Sequence, residues 1–92
     1  MAAKIEVEAS AKSEYRVRVV EAGTETSHRV TLSPEDYDRL AGGKVTPEDL
    51  VRRSFEFLLE REPKESILSR FDLPVIGRYF PEYEREIKRR LE

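Results

Sequence analysis

Two periods divide the chain. As far as Leu32 the apolar positions recur every second residue; beyond it they recur every third or fourth. In residues 4–9, Ile5, Val7 and Ala9 alternate with Glu6 and Glu8. In 15–21, Tyr15, Val17 and Val19 alternate with Arg16 and Arg18; in 26–32, His28, Val30 and Leu32 alternate with Arg29 and Thr31. Each alternation predicts a strand with one buried face. The links are short and polar, and one holds Gly23, so the three strands should form an antiparallel meander apolar on one side. Glu6 and Glu8 then oppose Arg16 and Arg18 on the other side. Such cross-strand pairs contribute a few tenths of a kcal/mol each.

The helical part opens with the same grammar twice. Ser33-Pro34-Glu35-Asp36 and Thr46-Pro47-Glu48-Asp49 each place a capping hydroxyl, a proline at the first helical position and two acids in the first turn. The first predicts a helix over 34–41, stopped by Gly42-Gly43. The second predicts a helix over 47–62, stopped by Pro63. In that long helix Phe57, Leu50, Ser54, Leu58, Val51, Phe55 and Leu59 follow one another around an arc of roughly 200°, twice what a one-sided surface helix needs. It should therefore be covered on two sides, by the meander and by the residues from 67 to 80. Apolar spacing predicts three shorter helices over 63–71, 74–80 and 81–91. Strands first and helices after make a single α+β domain.

Composition narrows the functional classes. The 92 residues hold no cysteine and one histidine, which leaves no disulfide framework, thiolate or histidine-rich metal site. Charged residues are 39%, with both signs interspersed and a net charge of −2. Neither a nucleic-acid arm nor an acidic tail fits that pattern. The start, MAAKIEVEAS, lacks the apolar run of a secretory signal, and no stretch approaches the length of a bilayer span. The expectation is a cytoplasmic protein of bacterial type with no cofactor, no metal and no membrane partner.

Candidate chemistry is thin. Glu35, Asp36, Glu48, Asp49 and Glu82 fall in first helical turns, and Glu56, Glu60, Glu84 and Glu86 on solvated faces. No pair is set up for acid/base work. His28 reads as a packed histidine hydrogen-bonded to backbone, and Ser33 as a cap. Gly42-Gly43-Lys44 lacks the full phosphate-loop pattern and reads as a helix stop. Arg85, Lys88, Arg89 and Arg90 suit a helix C-terminus.

Two binding readings remain. The helices from 47 onward offer more apolar surface than three strands can cover, and Phe71, Tyr79, Phe80 and Tyr83 concentrate it. Such a surplus points to an interface with a protein partner or a second copy, in a module that is not an enzyme. The alternative follows from the order strand, short helix, glycine turn and capped helix between residues 26 and 62. That order resembles the ribbon-helix-helix DNA-binding family, in which strands from two subunits pair and outward residues enter the major groove. The resemblance implies that Ser27, Arg29 and Thr31 are the DNA contacts. Its first helix is about one turn short, and the net charge is negative where DNA-binding domains are basic. The interaction module is the first expectation and the regulator the second.

Overall fold

The computed structural model describes residues 3–91. Three strands come first: β1 (Lys4–Ala11), β2 (Glu14–Glu21) and β3 (Thr24–Thr31), joined as an antiparallel meander. Then follow α1 (Pro34–Ala41), α2 (Pro47–Leu59), a fourth strand β4 (Arg70–Asp72), α3 (Ile76–Tyr79) and α4 (Tyr83–Arg90). The sheet order is β1-β2-β3-β4, and β4 lies parallel to β3. The α+β layout and the meander are as the alternation predicts.

The register sorts the faces. Val7 opposes Val17 and Val17 opposes His28, while Tyr15 lies between Ala9 and Val30; Tyr15, Val17, His28 and Val30 are buried in the core, Val7 packs against it, and Ala9 at the end of β1 is exposed. Glu6 opposes Arg18 and Glu8 opposes Arg16 on the outer face. Arg18 Nε donates to the Glu6 carboxylate at 2.8 Å. The two-residue turn between β2 and β3 is Ala22-Gly23, with φ of 53° and 82°. Positive φ at both central positions gives the right-handed twist that a tight hairpin needs. Gly23 adopts it freely, whereas Ala22 carries a Cβ against its own carbonyl.

Both long helices start as their caps dictate. Asp36 N–H donates to Ser33 Oγ and Asp49 N–H to Thr46 Oγ1, each at 3.1 Å. Gly42, at φ 57°, closes α1 by donating to the Asp38 carbonyl. α2 is the hub. Phe55 tilts against His28 of β3 and Phe71 of β4, with ring centroids 5.2 and 5.9 Å away. Phe57, two residues on, meets Phe80 and Tyr83 edge-on at 6.0 and 5.4 Å. The two sides of the apolar arc thus serve the sheet and the C-terminal helices. Between them Ser54 is fully buried; its hydroxyl donates to the Leu50 carbonyl at 2.8 Å and lies 2.7 Å from Tyr83 Oη. Because the Ser54 proton goes to a carbonyl, Tyr83 donates to Ser54. Burial also pushes the Tyr83 phenol well above its ordinary value.

One predicted helix is absent. Residues 63–71 form a 3₁₀ turn (Lys64–Ser66), an extended link and β4. The reason lies at the edge of β3. Arg29 N–H donates to the Ser69 carbonyl at 2.8 Å, and His28 Nδ1 meets the Leu68 carbonyl at 2.8 Å. A carbonyl only accepts, so Nδ1 carries a proton; Nε2 lies 2.8 Å from the Thr26 hydroxyl. Pairing an open strand edge outweighs the weak helical spacing of Ile67, Leu68 and Phe71. The stretch predicted as a helix over 74–80 is a 3₁₀ turn (Leu73–Val75) running into α3. α2 ends at Leu59, three residues earlier than Pro63 alone suggests.

Two stability effects follow. Replacing Ala22 with Asn makes an Asn-Gly turn and should raise unfolding free energy by about 0.5–1 kcal/mol in urea titration. Ser54→Ala strands the buried Tyr83 hydroxyl and should cost about 1–3 kcal/mol, while adding Tyr83→Phe to it should restore part of the loss.

Candidate functional site

α2 ends without a glycine, and its last turn leads into Pro63. Lys64, almost fully buried, then pins the chain: its ammonium lies 2.9 Å from the Glu65 carboxylate and 3.7 Å from that of Glu21 at the end of β2. These contacts hold the Lys64 amine above its ordinary value. From there the backbone is extended at Ile67 and enters β4.

That route leaves a groove of about 360 Å³ between the end of α2, the 66–68 link and α3. Its floor and walls are apolar, with Leu58, Ile67, Phe71, Ile76 and Phe80 among them. Two large apolar residues stand open to solvent at it, Tyr79 at 65% and Leu68 at 45% exposure. Glu62 lines the same groove and makes no ion pair among the described residues. Burial raises the Glu62 carboxyl above the usual range. Ser66 is the other small polar group in the lining.

The expected surface residues divide. Phe71, Tyr79 and Phe80 converge on the groove. Tyr83 does not: it is 0% exposed, held under α2 by Ser54, and is a core residue. Apolar spacing placed it correctly on the stripe of the last helix but could not say that the stripe was already covered. Leu58, Glu62 and Leu68 also line the groove and carry no mark of a site in the sequence. The only signal near them is the end of α2 and the helix–strand ambiguity just after it.

Ser27, Arg29 and Thr31 are all exposed on the outer face of β3. β3, however, is hydrogen-bonded to β2 on one side and β4 on the other. It has no free edge to build a ribbon with a second subunit, so the two-subunit arrangement implied by the ribbon-helix-helix resemblance is not available to it. Thr31 donates to the Asp72 carboxylate at 2.6 Å. Arg29 instead lies between Arg16 of β2 and Arg70 of β4. Arg16 was legible as an outward strand residue; Arg70 became its companion only through β4. Among the described residues no cluster of histidine, aspartate and glutamate could hold a metal ion, and no helix is long and apolar enough to cross a membrane. Comparison with family models, curated proteins and solved structures finds no match.

Glu62 sets a pH effect whose sign is opposite to that of a salt-bridged carboxylate. Its folded value exceeds the unfolded one, so the folded chain keeps a proton that the unfolded chain has released, and stability falls as pH rises through that window. Glu62→Gln should therefore stabilise the protein near neutral pH and leave it unchanged in acid, read from urea midpoints across the carboxylate range.

Proposed function

We propose that the chain is a non-enzymatic, cytoplasmic interaction module that holds a short apolar segment of a partner protein, bearing one basic side chain, in the groove between α2 and α3. The observation that carries this reading is an apolar groove with Tyr79 and Leu68 exposed at it and an uncompensated, partly buried Glu62 in its wall.

Each part has a physical reason. Exposed aromatic and aliphatic side chains gain roughly 25 cal/mol per Å² of apolar surface removed from water. The groove is at the small end of the roughly 300–1,000 Å³ of ligand sites, enough for two or three anchoring side chains rather than a flat protein face. A lysine or arginine entering beside Glu62 would favour its charged form and offset the cost of its burial, in a setting where such a pair discriminates between partners. The lining offers one carboxylate and no histidine, lysine or second acid, which favours binding over proton-transfer chemistry.

The test is selection of peptides on the purified chain, followed by calorimetric titration of the best binder. The selected peptides should share an apolar pair and a basic residue. Tyr79→Ala should weaken binding about tenfold, the size of a moderate interface anchor. Glu62→Gln should weaken basic peptides and spare a neutral analogue. Binding indifferent to both substitutions would remove the groove from the reading. A concentration-dependent dimer abolished by Tyr79→Ala would replace the partner segment with a second copy of the chain.

A further inference from the structure

We propose a second, independent site on the outer face of the sheet, built by Arg16, Arg29 and Arg70, that binds a compact phosphate group such as a phosphate monoester or diphosphate. The register sets Arg16 opposite Arg29 and Arg29 opposite Arg70, so three guanidinium groups leave three adjacent strands in one row. At a strand spacing of about 4.8 Å the row spans about 10 Å, which one or two phosphate groups can bridge. Ser27 and Ser69 join the arginines around a shallow hollow of about 430 Å³. Guanidinium forks match phosphate oxygens in pairs, and hydroxyls supply further donors.

The charge arrangement makes the row hard to explain as a solvated face. Like charges directly opposite one another on a sheet are destabilising. Elsewhere most surface arginines are balanced: Arg18 by Glu6, Arg39 by Asp36 and Glu84, Arg52 and Arg53 by Asp49, Arg61 by Glu82, Arg89 by Glu86, Arg90 by Glu60; Arg78 and Arg85, which make no ion pair among the described residues, stand singly on helices rather than in a cross-strand row. Among the described residues Arg16, Arg29 and Arg70 take part in no ion pair. Glu8 lies opposite Arg16 in the register without closing to one.

The surroundings favour a small anion over a nucleic-acid strand. Carboxylates bound the row: Glu8 at its β1 end, Glu6 beside it on Arg18, and Glu14 and Asp72 on either side of Thr31 in the next row. A long polyanion laid across the sheet would cross them. The ringed side chains of the strands, Tyr15, His28 and Phe71, all turn to the core, so the outer face has no platform on which a base could stack.

The experiment is thermal unfolding of the full chain with inorganic pyrophosphate, at constant ionic strength in chloride, for the wild type and the Arg29→Thr and Arg70→Ser variants. Both positions are exposed, and threonine suits a strand, so the variants should fold. Pyrophosphate should raise the wild-type Tm in a saturable way. Each variant should need about tenfold more pyrophosphate, as loss of a charge-assisted partner implies. Without ligand, Arg29→Thr should melt higher than the wild type. Amide NMR shifts at Ser27, Arg29 and Arg70 on titration give a second reading of occupancy. No shift in either measurement overturns the proposal, as does an equal response in the variants or an Arg29→Thr protein that melts lower. So does a short single-stranded oligonucleotide that binds more tightly than pyrophosphate with a steep salt dependence.

Discussion

Phe55 and Phe57 sit two positions apart on one helix and must be buried against different neighbours. At about 100° per residue they point about 160° apart around the helix, so no single surface can cover both. The sheet takes Phe55 through His28 and Phe71, and the C-terminal helices take Phe57 through Phe80 and Tyr83. Everything after α2 answers this requirement. Arg61 lies over the open face of Phe57 at 3.7 Å and is itself tied to Glu82, while Arg90 of α4 reaches back to Glu60 at 2.6 Å. The cations shield the ring from water and fasten α4 to the end of α2, a double use of the arginine side chain.

What could be read from residue order was whatever local chemistry decides. Alternation placed three strands and their inner faces, and two capping hydroxyls placed the starts of α1 and α2. The division of α2 into two working sides was legible because Ser54, Phe55 and Phe57 occupy one helical projection. β4 was not legible, because its cause is remote: the free edge of β3 and the imidazole of His28 recruit the backbone at Leu68 and Ser69. The placement of the singled-out residues divides along the same line. That Phe71, Tyr79 and Phe80 lie together at one groove follows their apolar spacing, whereas the burial of Tyr83 rests on a hydroxyl partner on another helix. Arg29 was found as an outward strand residue, but its row exists only when Arg70 arrives beside it.

β4 also explains why two surfaces of opposite character lie so near each other. Neighbouring residues on a strand face opposite sides, so Phe71 enters the apolar groove while Arg70 joins the arginine row. The apolar groove and the arginine row thus occupy the two faces of the same short strand. The rest of the sheet keeps these environments apart: the inner residues Val17, Val19 and Val30 are fully buried, and the outer ones are charged or hydroxylic except Val20.

The pairing of β3 with β4 differs from the rest of the sheet in how far apart its partners lie along the chain. The two hairpins of the meander close over two-residue turns, but His28 meets Leu68 across 40 residues. Loop-closure entropy makes such a contact late to form, after α1 and α2 have been laid down between the two strands. By the same logic it is early to open, since its ladder is three residue pairs long, supported by the His28–Leu68 and Thr31–Asp72 hydrogen bonds. When they part, β3 regains a bare edge, the arginine row loses an end and the groove loses a wall. The lifetime of both surfaces is then set by the opening rate of one three-residue strand.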